Sequence, residues 1–140
     1  MSTTPKAALR MLLVANGTIS AAIGARVYTR YAAQDAAFPL AVIYEKTVER
    51  VRHMAGVAGI AQAVIILEWY ADTDAELETL SEAARGALDM YSNTVTVGSD
   101  TIDLRSVTLA DESETFEMPA DGGGAPVKRK SQEWQVWYRE

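Results

Sequence analysis

The sequence predicts an α+β fold in which a largely antiparallel β-sheet with a long hairpin arm packs against helices. Two observations carry this prediction. Several segments alternate apolar and polar residues with the period of a strand, and residues 5–14 and 73–90 repeat apolar residues at helical spacing. The predicted order is helix, helix, strand, long hairpin, helix, hairpin, strand. Because 140 residues, of which 49% are hydrophobic, can bury one sizeable core, a single domain spanning residues 1–140 is expected.

The N-terminal region predicts two helices and a short extended piece. Thr4 followed by Pro5 is typical of a helix start, and the helix is predicted to run to about Val14. Asn16 and Gly17 are residues that tolerate a left-handed C-terminal turn. A second helix over residues 18–23 is predicted to end at Gly24, followed by an extended piece over residues 26–28 and a loop over residues 31–38.

The long hairpin is predicted from two segments with strand periodicity, residues 40–51 and 60–71. The second is apolar on one face and mixed on the other, which indicates a central strand. Residues 53–59 link the two strands, and this link is apolar and glycine-rich without a tight-turn signal. We therefore expect a long arm with a mobile tip.

A central helix over residues 73–90 is predicted from its N-terminal signal. Thr73 and Glu76 have the spacing of a capping box, and the acidic residues of segment 72–78 suit the positive end of a helix. Its apolar stripe should lie across one face of the sheet. Residues 94–97 and 101–109, joined by a Gly-Ser-Asp turn, predict a second hairpin.

The C-terminal third predicts an acidic loop and a final strand. Segment 111–124 is expected to be flexible and solvated, because it combines three consecutive glycines with a run of carboxylates and no basic residue. In residues 127–139, Trp134, Val136 and Tyr138 alternate with Trp137 and Arg139. The first three residues should fill the core, and the last two should face a helix or a neighbouring subunit.

Composition and motif searches exclude several classes of chemistry. The chain has no cysteine and a single histidine, His53, which leaves no thiol nucleophile, no thiolate zinc site and no multi-histidine metal site within one chain. A formal net charge of −6 weakens any expectation of nucleic-acid or anionic-lipid binding. No signal peptide or membrane-spanning segment is predicted.

No catalytic constellation emerges from the remaining candidates. Helix capping accounts for the carboxylates of segment 72–78, and the three glycines lack the following helix that a phosphate loop needs. The basic run Lys128, Arg129 and Lys130 is more typical of a solvated strand edge, or of salt bridges to a neighbour, than of a nucleic-acid site. The sequence therefore predicts a non-enzyme without a cofactor or a metal.

Five segments together carry a family resemblance: residues 38–44, 59–63, 65–71, 83–88 and 131–138. Their order and spacing resemble the tail-completion, or head-to-tail joining, family of long-tailed bacteriophages, whose members act as tail terminators. Gene transfer agents use similar parts. The acidic segment 111–124 and the apolar hairpin tip depart from the family pattern.

The resemblance implies a structural virion protein, made in the bacterial cytoplasm, whose subunits close into a hexameric ring at the head-proximal end of the tail. Such a ring would stop polymerisation of the tail tube protein and bind a head–tail connector protein, while DNA passes through without specific binding. Two alternatives stay open: another neck or tail component such as a connector adaptor, and a small ligand-binding domain.

Two sets of residues are the candidate sites. A ring needs different patches on each subunit, and the hairpin tip and the outward side of the last strand can supply them. The predicted subunit or tube contacts are His53, Met54, Val57, Trp137 and Arg139. The acidic loop is predicted to line the channel and keep DNA from sticking, through Asp111, Glu112, Glu114, Glu117 and Asp121.

Overall fold

The structure is a computed structural model that describes residues 4–24, 26–29, 39–53, 56–71, 73–117 and 127–139. For residues 51–53, 56–58, 115–117 and 127 it describes the backbone alone. The predicted loop over residues 31–38 and the glycine-rich segment 118–126 lie outside the described residues.

Three helices and six strands make up the described chain, which confirms the predicted α+β class. Their bounds are α1 Pro5–Ala15, α2 Gly17–Ile23, β1 Val27–Thr29, β2 Leu40–His53, β3 Gly56–Ala71, α3 Asp74–Leu88, β4 Tyr91–Val97, β5 Asp100–Glu117 and β6 Val127–Arg139. All six strands belong to one sheet in the order β1-β2-β3-β6-β5-β4. Only β1 and β2 pair in parallel, so the sheet is largely antiparallel, as predicted.

The last strand of the chain lies in the middle of the sheet. β6 pairs with β3 over twelve positions and with β5 along its whole length. Trp134, Val136 and Tyr138 are buried, whereas Trp137 and Arg139 are exposed, which confirms the predicted division of the two faces. Because sequence-distant strands flank β6 on both sides, the sheet is completed only when the C-terminal residues are in place.

The helices join the core on one face of the sheet. The core cluster combines α1, α2 and α3 with the alternate residues of β3 from Ala61 to Ala71, all of them fully buried. Burying each large apolar side chain of this kind contributes about 1.5–3 kcal/mol relative to leaving it exposed. We call the opposite side of the sheet the open face.

Two β-bulges set which side chains of the long hairpin reach each face. At Lys46 in β2 the register slips by one residue, so Ile43 and Val48, although their numbers differ in parity, both pair with core-facing residues of β3. A second irregularity lies between the pairs Arg50–Ala61 and Arg52–Val57. On the β3 side of this irregularity, Gly59 has a φ of 81°, a conformation that suits glycine.

The structure corrects three local predictions. Asn16 does not adopt a left-handed turn: its φ is −74°, and its side chain accepts hydrogen bonds from the Thr18 and Ile19 amides as the N-cap of α2. The hairpin link is shorter than predicted, because β2 continues to His53, which pairs with Gly56. Residues 111–117 form the second half of β5 and are not a loop.

The helix start at Thr73 gives a first quantitative prediction. The Glu76 amide donates to Thr73 Oγ1 at 3.2 Å, and the Thr73 hydroxyl donates to Glu76 Oε1 at 3.0 Å. We expect Thr73→Ala to lower the free energy of unfolding by about 1 kcal/mol, because an orphan helix amide loses its partner. Urea unfolding measures this, with Thr79→Ala on the exposed face of α3 as the control. Equal stability of the two variants would show that the cap contributes nothing.

No single helix among the described residues is long and apolar enough to span a membrane. The pair α1 and α2, which meet at an angle of 86°, would together reach the length and composition of a span.

Candidate functional site

The open face carries a band of uncharged side chains that crosses four strands. Strand pairing aligns Thr47, Val64, Gln135 and Thr108 in one row. The next row holds Gln62, Trp137 and Ser106, with Glu49 at its end. Charge depletion around an aromatic side chain is typical of the central part of protein interfaces.

Trp137 is the most prominent side chain of this band. Trp137 is 36% exposed, and Ile60, which pairs with Arg139 on the neighbouring strand, is 39% exposed. Both are large apolar side chains on the face that the helices leave uncovered. The structure therefore places two of the predicted contact residues, Trp137 and Arg139, on one surface together with Ile60, which the sequence reasoning did not single out.

The predicted arm begins next to this surface. The described part of β6 ends at Arg139, which pairs with Ile60, so β3 residues preceding Ile60 pair only with β2. The backbones of His53 and Val57 lie in this two-stranded extension, while Met54 is outside the described residues. The roles of His53, Met54, Val57, Trp137 and Arg139 in contacts between proteins remain predictions.

Strand geometry divides the predicted acidic loop between the two faces of the sheet. Asp111 pairs with Glu133 of the open face, whereas Glu112 pairs with buried Gln132 on the face that the helices cover. Glu114 approaches Lys130 on the same covered face. The side chain of Glu117 is not described, and Asp121 is outside the described residues.

The residues of the acidic segment therefore do not share one surface. The lining of a channel by this segment remains a prediction. Of Asp111, Glu112 and Glu114, the three predicted channel residues whose side chains are described, Asp111 lies on the open face and the other two on the covered face.

A charge network around the buried side chain of Lys130 lies between α3, β5 and β6. Lys130 is 4% exposed, and its Nζ lies 2.9 Å from Glu78 Oε1, 3.4 Å from Glu112 Oε1 and 3.5 Å from Glu114 Oε1. Arg85 Nη1 donates to both carboxylate oxygens of Glu112, at 3.1 and 2.9 Å. Two cations and three carboxylates thus tie one helix to two strands.

Uncharged groups extend the network into the core. Gln132 is fully buried, and its Nε2 donates to Glu112 Oε2 at 2.8 Å and to the Ser81 carbonyl at 3.2 Å. Its Oε1 accepts a hydrogen bond of 2.9 Å from the indole N–H of buried Trp69. The hydrogen-bonding capacity of the glutamine is therefore used in the interior, which is what burial of an amide side chain requires.

The sequence reasoning missed this network, because it grouped Lys130 with Lys128 and Arg129 as one basic run. Lys128 does make an exposed ion pair, with Asp74 at 3.3 Å, but Lys130 is buried. The available signal was the alternation of β6: Lys130 and Gln132 have the same parity as Trp134, the residue predicted to fill the core.

The network shifts the pKa values of its members. Burial by itself raises the pKa of Glu112, but hydrogen bonds from Gln132 and Arg85 and the charges of Lys130 and Arg85 outweigh it, so the pKa lies below the usual value. The hydrogen bond and charge of Lys130 lower the pKa of Glu78. Burial by itself would lower the pKa of Lys130. Its carboxylate partners raise the pKa by more than burial lowers it, so the net shift is upward.

These directions predict a dependence of stability on pH. A carboxylate with a depressed pKa stabilises the fold above its unfolded pKa of about 4.3, and we expect the free energy of unfolding to fall as the pH drops from there through the folded pKa of Glu112. Lys130 acts in the opposite direction. Its contribution is present below its unfolded pKa of about 10.4 and is lost as the pH rises through its higher folded pKa.

Urea unfolding at a series of pH values tests this dependence, with Glu112→Gln as the comparison. The variant should lose part of the acid-side slope. An identical slope in both proteins would contradict a depressed Glu112 pKa.

A second polar cluster lies on the open face, away from Trp137. Glu68 accepts hydrogen bonds from the Tyr70 hydroxyl at 2.8 Å and from the Tyr44 hydroxyl at 3.4 Å. Burial is the first cause that raises the pKa of each tyrosine, and the Glu68 carboxylate adds to it. The open face thus has a hydrogen-bonded end around Glu68 and an end around Trp137 where few side chains are charged.

Sites for small ligands or metals are not prominent in the described chain. No group of three or more histidine, aspartate or glutamate side chains that could hold a metal ion occurs among the described residues. A cavity of about 190 Å³ lies between α2 and α3, lined by Ala22, Ala75, Glu76, Thr79 and Leu80. This is smaller than the roughly 300–1,000 Å³ of a ligand pocket.

The protein is of the α+β class, with one sheet face that the helices leave uncovered, and comparisons with known proteins identify its family. The sequence matches the family of tail completion protein gp17 over residues 7–117, and the chain belongs to this family. It is therefore a structural protein of a phage-type tail, located in the virion. No curated protein sequence matches the chain.

The fold also occurs in a known particle. It is similar to a chain in the structure of the virion of a native gene transfer agent, with a TM-score of 0.74 and 14% sequence identity, covering 97% of this chain and 95% of that chain. At this identity the similarity concerns the fold. The resemblance stated from the sequence, to tail-completion proteins, is confirmed by the family match.

Proposed function

We propose that the chain is a single-domain, non-enzymatic tail terminator. Its copies form a hexameric ring at the head-proximal end of the tail, end polymerisation of the tail tube protein and join the tail to a head–tail connector protein. DNA passes through the ring without specific binding. The observation that carries the proposal is membership of the tail completion family over residues 7–117.

The open face supports the assembly part of the proposal. A ring made of identical subunits needs heterologous contacts, in which two different patches of each subunit meet. The surface around Trp137, Ile60 and Arg139 is one candidate patch, because it combines exposed apolar area with few charges. The arm that begins beside it is a second.

Electron microscopy of the purified protein tests the proposal. A six-fold ring that binds one end of isolated tail tubes is the expected result. Monomers that bind neither the tubes nor the connector would overturn it. Binding to the portal side without any affinity for tube ends would favour a connector adaptor, the alternative considered from the sequence.

Trp137 provides the mutational test of this surface. We expect Trp137→Ala to leave the subunit folded and to abolish ring formation, because Trp side chains at the centre of an interface often contribute about 2 kcal/mol or more to binding. Sedimentation velocity measures assembly, and circular dichroism reports the fold. Thr108→Ala, one row away on the same face, is the control and should retain the ring. Rings of normal stability formed by Trp137→Ala would remove this surface from the contact.

A further inference from the structure

The two edges of the sheet differ in a way that suggests how copies of the chain associate. β4 is the last strand of the sheet, and no described strand pairs with its outer side. Its seven residues, Tyr91–Val97, include no charged residue and no proline. Native proteins usually protect open edges with lysine, proline or short strands, and β4 has none of these protections. Its only irregularity is a bulge near Ser92, at one end.

The opposite edge offers a strand of sufficient length. β1 pairs with β2 only at Ala41, Val42 and Ile43, so the outer side of β2 over residues 44–49 has no partner among the described strands. At about 3.3 Å per residue, these six residues extend for about 20 Å, against about 23 Å for β4. The three residues of β1 are too short to cover the β4 edge.

Charge separates the two edges into different roles. Residues 44–49 of β2 include Glu45, Lys46 and Glu49, whose charges disfavour unspecific pairing with other edges. β4 has no such protection. One edge of the sheet therefore carries charged side chains, and the other edge carries none. This difference favours pairing between unlike edges over pairing between two copies of the same edge.

We infer that the outer side of β4 receives β2 of a second copy of this chain, which joins the sheets of neighbouring subunits edge to edge. This inference rests on the proposed ring and adds a backbone contact at the sheet edges to the side-chain contact proposed around Trp137. A contact between opposite edges is heterologous, so its repetition produces rings or filaments, whereas pairing of β4 with itself stops at a dimer.

The sheet topology also fixes the direction of this pairing. Each step from β2 through β3, β6 and β5 to β4 is antiparallel, and four such reversals leave β2 and β4 running in the same direction. In a ring whose axis lies along the strands, β4 and the neighbour's β2 pair in parallel.

Cysteine cross-linking tests the contact, because the chain has no cysteine of its own. Thr94 and Thr96 in β4, and Thr47 and Glu49 in β2, are exposed, and their strand pairing places all four on the open face. Thr96→Cys is combined with Thr47→Cys or with Glu49→Cys, and a short bismaleimide, whose reach tolerates a shift of two residues in register, is added to the assembled protein. Thr96→Cys with Ser20→Cys, on exposed α2, is the matched control.

We expect the β4–β2 variants to give a ladder of linked species up to the size of the ring, and the control to give none. Thr96→Cys alone should give no linked dimer. A dimer from this single variant would show that β4 pairs with itself and would overturn the inference. Rings seen by electron microscopy without a ladder from either variant would overturn it while leaving the proposed function intact.

Two further experiments test the direction of the strand pairing and the involvement of the β4 edge. Direct disulfides between residues of constant number difference, such as 94 with 47 and 96 with 49, indicate parallel strands, whereas constant sums indicate antiparallel ones.

Thr94→Lys with Thr96→Lys should raise the concentration needed for assembly about tenfold or more, because two charges enter the uncharged edge. Thr18→Lys with Ser20→Lys on α2 should leave it unchanged. A ladder without closed rings would support the edge contact and refute the ring.

Discussion

Lys130→Ala is expected to lower the free energy of unfolding by about 3 kcal/mol, although it changes only one residue of a basic run. The side chain of Lys130 is 5% exposed and lies within 3.5 Å of three carboxylates. Removal of one partner from a buried ion pair typically costs about 3–5 kcal/mol, because the remaining charge loses its compensation. The lower end applies here, since Glu112 keeps Arg85 and Gln132, and Glu78 and Glu114 are more than half exposed and can turn to water.

Urea unfolding measures this loss. The slope of the free energy of unfolding against urea concentration should be unchanged in the variant. Lys46→Ala is the matched control, because Lys46 also pairs with a glutamate, Glu133, at 3.3 Å, but its own side chain is 58% exposed. An exposed pair of this kind contributes at most about 1 kcal/mol. Equal losses of stability in the two lysine variants would contradict a larger contribution from the buried Lys130 than from the exposed Lys46.

The sequence predicted the element order because local signals and tertiary structure agree in most of this chain. The cap at Thr73, the alternation of β3 from Ala61 to Ala71 and the alternation of Trp134, Val136 and Tyr138 all match what the structure shows. These patterns report which face of an element is apolar, and a single core fixes that face. The side of an element that meets the core was therefore predictable from the sequence.

The arrangement of the strands was not predictable in the same way. Nothing local to residues 127–139 indicates that β6 inserts between β3 and β5, since that position depends on strands that are distant in sequence. The bulge at Lys46 is a similar case, because it changes the face of every later β2 residue without a glycine or proline to mark it. Register depends on both partners of a pair.

The acidic segment shows how composition can point to the wrong conformation. Five carboxylates and three glycines within segment 111–124 suggested a solvated loop. The first half is a strand, because Glu112 and Glu114 face Lys130 and, for Glu112, Arg85, so their charges are compensated by residues elsewhere in the chain. Negative charge within one segment did not mean a loop, since compensating cations from α3 and β6 accompany it in the strand.

Trp134→Ala is expected to lower the free energy of unfolding by about 3–5 kcal/mol. Trp134 is fully buried in β6 between Ile65 of β3 and Leu109 of β5, and its truncation removes a large apolar surface and leaves a cavity. No hydrogen bond within the described part of the chain is lost with the side chain, because the indole N–H of Trp134 has no partner there. The same truncation of Trp69 would also remove the donor that holds Gln132.

Trp137→Ala is the control for this prediction, because it removes the same side chain three residues later in the same strand. Trp137 is 36% exposed on the open face, so its truncation removes less buried surface than that of Trp134 and should cost the isolated subunit about 2 kcal/mol or less. Thermal and urea unfolding at concentrations below the onset of assembly compare the two variants. The contrast depends on strand alternation alone: a tryptophan that faces the helices supports the fold, and one that faces away is free to serve assembly. Similar losses in both variants would show that the open face also contributes to the stability of the subunit.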